Sequence, residues 1–151
     1  MGEKPADIPY CMESEIISPF AQLQPGEQYT FRYAWCSAKI PRGMGVVSCN
    51  DMGVLCEPVK AELKDGKLLL SGSGGIFYEG TLSVTAIDKQ DRGTLVLDGI
   101  PVTPLEPVDF KAVAAKPAQE KVPAQTVCVV IEIADKEGNH IGRFAEANIS
   151  Q

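Results

Sequence analysis

The sequence predicts an all-β chain built from antiparallel sandwich strands. Three observations carry that prediction. Fourteen Gly and eleven Pro are spread along 151 residues, which cuts the chain into many short elements separated by turns. Aromatic and β-branched residues recur at every second position in several runs, the period of a strand. Asp, Asn and Gly gather between those runs, where hairpins need positive φ or a side-chain cap. A chain of this length suits one ordinary domain or a small one with an appendage. It buries roughly two-thirds of its unfolded surface, enough for a core without metal or disulfide staples.

In order along the chain, Pro9–Ser18 alternates well enough for a strand. Leu-Gln-Pro-Gly-Glu at 23–27 reads as a turn, because proline presets its own φ and glycine accepts the positive φ of a type II turn. Gln28–Ile40 then places Tyr29, Phe31, Tyr33 and Trp35 on one strand face, with Thr30, Arg32, Ala34 and Cys36 on the other. Pro41-Arg42-Gly43-Met44-Gly45 is the best linker, so the expected layout is a strand pair over 1–40 and a sandwich over 45–151. Further strands are read at Val46–Cys49, Val54–Leu63, Lys67–Ser71, Ile76–Asp88, Gly93–Asp98, Val108–Val113, Thr126–Ala134 and His140–Ala147. The stretch from Lys111 to Gln125, rich in Ala, Lys and Pro, reads as a mobile connection. No helix and no internal repeat is read.

The balance of charge narrows the function classes. A net charge of −6 with lysines scattered through turns does not make the basic face of a nucleic-acid binder. No apolar run approaches the roughly 18 residues of a membrane span, and the start Met1-Gly2-Glu3-Lys4-Pro5 shows no signal-peptide core. Compartment is left open. Cys11, Cys36, Cys49, Cys56 and Cys128 are an odd number with no close pairs, and His140 is the sole histidine. That pattern is unlike a zinc site and reads as small, buried, reduced side chains, with a disulfide among Cys36, Cys49 and Cys56 left open. No metal and no cofactor is expected.

The first forty residues carry a resemblance. Tyr10-Cys11-Met12-Glu13-Ser14-Glu15, then Leu23-Gln24-Pro25-Gly26-Glu27-Gln28-Tyr29 and an aromatic strand, resembles the closing strands of the galactose mutarotase (aldose 1-epimerase) β-supersandwich. The resemblance covers about a quarter of the chain. It implies that Glu13 matches the family's catalytic base, which takes the proton of the anomeric hydroxyl. Glu15 stands where the family has glutamine, the gap between the motifs is shorter, and the family's acid histidines have no counterpart. The remainder is similar in style to immunoglobulin-like or fibronectin type III accessory domains, in Gly80–Thr85 and Val129–Asn139. Likeness of fold alone says nothing about function.

Three residues stand out as candidate site residues. Glu13 and Glu15 share a strand face at about 7 Å, which suits a catalytic carboxylate pair or two solvated charges on an edge strand. Trp35, with Tyr29, Tyr33, Phe77 and Tyr78, would serve either as a platform for sugar rings or as core packing. The run Gly72-Ser73-Gly74-Gly75 lacks Gly-Lys-Ser/Thr and reads as a hairpin or bulge rather than a phosphate loop. Asp88, Asp91, Asp98 and Asp135 read as turn caps. The chain is expected to be a non-catalytic accessory or interaction module associated with carbohydrate, alternatively part of an epimerase-type enzyme with Glu13 as base. The expected partners are carbohydrate, and a second copy or an adjoining sandwich domain docked through residues 9–40.

Overall fold

The computed structural model describes residues 16–115 and 121–150, and the chain divides into two units, Met1–Trp35 and Cys36–Gln151. All described strands belong to the second unit. They are β1 (Ser48–Asn50), β2 (Gly53–Lys64), β3 (Lys67–Ile76), β4 (Gly80–Asp88), β5 (Gly93–Val102), β6 (Val108–Asp109), β7 (Thr126–Ala134) and β8 (His140–Ser150), with one short helix α1 (Phe110–Ala114) after β6. With 51% strand and 4% helix, the chain is all-β as the sequence predicts.

The strands form one sheet in the order β5-β4-β7-β8-β2-β3-β6, with β1 paired to β2 beside that path. Neighbours are antiparallel except β2 and β8, which run parallel over Ala61–Ile149 and Glu62–Ser150. Alternation sets the inner face: Leu82, Val84 and Ala86 of β4 and Val129, Ile131 and Ile133 of β7 are buried. Each large aliphatic side chain hidden this way contributes about 1.5–3 kcal/mol. The sheet curls, so that β3 and β5, far apart in the order, line one cleft.

Turn chemistry follows the residues. Between β2 and β3, Asp65 and Gly66 take φ 52° and 74°, the two positive angles of a type I′ hairpin. Between β1 and β2, the Asn50 Oδ1 accepts from the Met52 and Gly53 amides at 2.9 and 3.2 Å. Its amide nitrogen donates to the Phe144 carbonyl at 2.9 Å, tying this turn to β8. Asp88 ends β4 and is 5% exposed. Its carboxylate accepts from the Gln90 and Arg92 amides at 2.8 and 3.0 Å and from Arg92 Nε at 2.8 Å.

The Arg92 side chain, followed by its amide, holds the Asp88 carboxyl below the usual carboxylate range against the opposing effect of burial. A folded value below the unfolded one means that the stabilisation is complete above the unfolded value, near about 4. It is lost as pH falls through the folded value. Urea midpoints of the parent and Asp88→Asn are therefore expected to differ most near neutrality and to converge in acid. A gap that widens on acidification would contradict this assignment.

Several sequence expectations need correction. Gln28–Ile40 forms no strand; its alternation is right for one, but no described strand pairs with it, and a ladder needs a partner. Of Pro9–Ser18, only 16–18 are described, and they too are outside any strand. Val108–Val113 is strand only to Asp109, whose side chain then caps α1 by accepting from the Lys111 amide at 2.9 Å. Alanine-rich Phe-Lys-Ala-Val-Ala favours helix, and the i, i+3 pair Phe110 and Val113 buries against the sheet. Ile76–Asp88 is two strands, Ile76 closing β3 and a bend at 77–79 leading to β4. Of the two readings of Gly72–Gly75, the bulge holds and the hairpin does not: the run lies within β3, opposite two register irregularities of β2. Lys111–Gln125 is partly ordered, since Val122 is buried and Thr126 donates to the Pro123 carbonyl at 2.6 Å.

Candidate functional site

In the first unit, the turn reads as predicted: Gly26 takes φ 90° and the Glu27 amide donates to the Gln24 carbonyl at 3.0 Å. Beyond it no strand among the described residues pairs with the backbone, and Tyr29, Phe31, Tyr33 and Trp35 are 46%, 37%, 57% and 64% exposed. The rings form a row. Phe31 and Tyr33 are 5.5 Å apart and tilted at 37°, and Tyr33 meets Trp35 edge-on at 6.4 Å. Such pairs contribute about 0.5–1.5 kcal/mol beyond area burial. The core-packing expectation for these aromatics is thereby corrected. Glu13 and Glu15 lie outside the described residues, as does Cys11.

The second unit presents a cleft of about 420 Å³. Leu68 and Leu69 of β3, Val96 and Leu97 of β5, Ala114 at the end of α1 and Val122 line it, with Lys67 and Lys121 among its lining residues. Successive strand side chains point to opposite faces, so a lining made of consecutive β3 residues reaches the edge of the strand as well as one face. Among the described residues, β6 pairs with β3 only at Ser73 and Gly74, and α1 packs against β3 beyond it. Among the described residues, β3 has no second partner from Lys67 to Gly72. Nothing in the sequence reading singled out this cleft. The signal was present in Asp109 followed by an alanine-rich run, which stops the strand early.

A broader open groove of about 680 Å³ runs beside the β2 irregularity, lined by Met44, Glu57, Lys60, Ser73, Asp109 and Lys111 among others. Glu57 accepts from the Ser73 hydroxyl at 3.1 Å, and Asp109 is occupied in capping α1. Its two carboxylates are therefore committed to the fold. Phe77 and Tyr78 are half-buried, with Tyr78 packed on the core.

Cys36, Cys49, Cys56 and Cys128 are all free. Only Cys56 is buried, and Cys36 and Cys49 are exposed, which corrects the expectation of buried thiols throughout. Burial, aided by the Glu57 carboxylate, pushes the Cys56 thiol up, and burial does the same for Cys128. Both therefore stay protonated and weakly nucleophilic. His140 is exposed and meets Glu132 at 3.1 Å. Asp135 caps its turn, accepting from the Glu137 and Asn139 amides at 3.0 and 2.8 Å. Among the described residues, no three His, Cys, Asp or Glu side chains gather as a metal site. Comparison of the chain with protein-family models, with curated proteins and with solved structures finds no match.

Proposed function

We propose that the chain is a non-catalytic β-sandwich interaction module whose recognition element is the aromatic row of the first unit, with carbohydrate as its small-molecule ligand class. The carrying observation is the exposure of Phe31, Tyr33 and Trp35 in one row on strand-patterned backbone that no described strand pairs with. Rings left in water at this density mark a contact surface, and aromatic faces pack well on the C–H faces of pyranose sugars. The mutarotase resemblance of residues 10–29 favours carbohydrate among small ligands.

The finer fold belongs to the same reading. We infer an immunoglobulin-like sandwich for the second unit. With β2, β3 and β6 as its A, B and E strands and β4, β7 and β8 as C, F and G, the pairings correspond, and β5 is the extra strand beside C.

Trp35 is the only tryptophan, so its fluorescence reports directly on the row. Titration with galactose-containing oligosaccharides is expected to shift its emission, and Tyr33→Ala to weaken binding about fivefold, one stacking contact of about 1 kcal/mol. No spectral response to any sugar would remove carbohydrate from the proposal. Polarimetry is expected to show no acceleration of galactose mutarotation by the chain alone. An acceleration abolished by Glu13→Gln would instead make the chain an epimerase-type enzyme.

A further inference from the structure

The segment that leads into the sheet lies along one face of β3. Ile76 belongs to the core, so its neighbour Gly75 faces away from it, and Ser73, two residues earlier, shares that outer face. Outward positions of β3 are otherwise open, Leu69 being 44% exposed, yet Ser73 and Gly75 are buried. Residues 38–44 cover them. A Cβ at Gly75 would meet the Lys39 carbonyl oxygen at 2.6 Å, the Ala38 Cβ at 2.9 Å and the Ile40 Cγ2 at 3.3 Å, so its three nearest atoms all belong to this segment and none to a neighbouring strand. The Lys39 amide donates to the Pro104 carbonyl at 2.7 Å, just past the end of β5. Pro41–Met44 then turns, with Gly43 at φ 81° and the Met44 amide donating to the Pro41 carbonyl at 3.3 Å. That turn brings the Met44 Sδ to 3.4 Å from the Ser73 hydroxyl. The Val47 amide ends the run on the Leu55 carbonyl of β2 at 2.8 Å.

We propose that residues 38–44 are a strap, seated on Gly75, that restrains the base of the aromatic row at Trp35, three residues before the seat. This deepens the interaction-module reading and rests on it. Rings on a tethered base lose less freedom on meeting a ligand than rings on a free tail, which is how the strap would serve the row. The seat is shaped for a peptide group. Gly75 has no left-handed φ, so glycine is required there for room alone. The contrast with its neighbour is direct: a Cβ at Gly74 strikes the β2 backbone, whereas at Gly75 the strand stays and the strap lifts. One amide bond, one close seat and one thioether contact hold the strap, and a segment held so lightly opens more readily than a paired strand.

The test uses the full chain and two variants, Gly75→Ala in the seat and Lys39→Pro in the strap. Lys39→Pro removes the amide that reaches Pro104 and lies outside every described strand, so it decides the matter where Gly75→Ala does not fold. Circular dichroism identifies the folded chains. Trypsin reads the strap at the bond after Arg42, with the bond after Lys89, in the exposed turn between β4 and β5, as the control. Cleavage follows the open fraction of a segment, so cutting after Arg42 is expected to accelerate on the order of tenfold in each variant while cutting after Lys89 keeps the parent's rate. Anisotropy of Trp35, the sole tryptophan, should fall in both. A folded variant cut after Arg42 at the parent's rate would overturn the strap, and so would equal acceleration at both bonds, which is general loosening. Unchanged Trp35 anisotropy would overturn the restraint on the row. These readouts need no sugar, so the two readings fail separately. If anisotropy falls in the variants while parent Trp35 emission ignores every sugar, the strap stands and the carbohydrate reading is lost. If sugar shifts the parent's emission while the variants keep its anisotropy, the interaction module stands and the strap is lost.

Discussion

Replacing Phe110 by alanine is expected to remove about 3–5 kcal/mol of stability, the largest effect of any single side-chain truncation considered. Phe110 is fully buried at the start of α1 and stacks on Phe144 of β8, ring centroids 6.1 Å apart and 24° between planes. It joins the helix that interrupts one edge of the sheet to a strand in the middle of the order, so its loss leaves a cavity bounded by parts that cannot collapse together. Thermal unfolding should shift down by more than roughly 10 °C. Leu105, 76% exposed, serves as the comparison, and Leu105→Ala should stay within about 0.5 kcal/mol of the parent. Equal effects at the two positions would mean that the helix is not anchored through Phe110.

Gly74→Ala is expected to be nearly as damaging, although it adds a single methyl group. Gly74 sits in β3 between two paired strands, opposite Leu55 on one side and Val108 on the other. A Cβ there would run into the Val54 carbonyl oxygen and approach Leu55 Cα at 3.3 Å, both backbone atoms of β2. Backbone within a ladder cannot swing aside as a side-chain end can, so relief requires the two strands to part. A loss of about 1–3 kcal/mol or more is expected from denaturant unfolding. Gly45→Ala, with nothing within 4 Å of the added atom, should be close to neutral. If both variants unfold alike, the close approach of β2 to β3 is not what requires glycine.

These two positions also show where the sequence was readable. Period-2 alternation located β7 to the residue, because burial on one side of a strand is written in that period. Asp-Gly at 65–66 and Pro-Gly at 25–26 located their turns through positive φ. The Gly72–Gly75 run left hairpin and bulge open because glycine marks a turn and a close strand contact with the same symbol, and the partner strand β2 decides for the bulge. Residues 28–40 misled for a related reason: alternation states which side chains would share a face, not whether a neighbouring strand exists. Val108–Val113 failed at Asp109, where a side-chain cap overrode a β-branched start. For the candidate site, the aromatic row was legible as a row but not as exposed. The cleft was legible only in part: the Asp109 cap marks where β6 stops, but only the fold brings β3, β5 and Val122 together around it. Glu13 and Glu15 remain tied to the mutarotase resemblance.

The parallel seam between β2 and β8 has a kinetic consequence. Neighbouring segments form hairpins on either side of it, β2 with β3, β4 with β5, and β7 with β8, and each closes only a short loop. The seam instead joins Ala61 and Glu62 to Ile149 and Ser150, and the Ser150 hydroxyl donates to the Ala61 carbonyl at 3.0 Å across 89 positions of chain. Long loop closure must precede the reward of that contact. During synthesis at about 5–20 residues per second, β2 and β3 wait several seconds for β8 to emerge. Through that interval β2 lacks its seam partner, so the face that β8 helps to cover stays in water until the last strand docks.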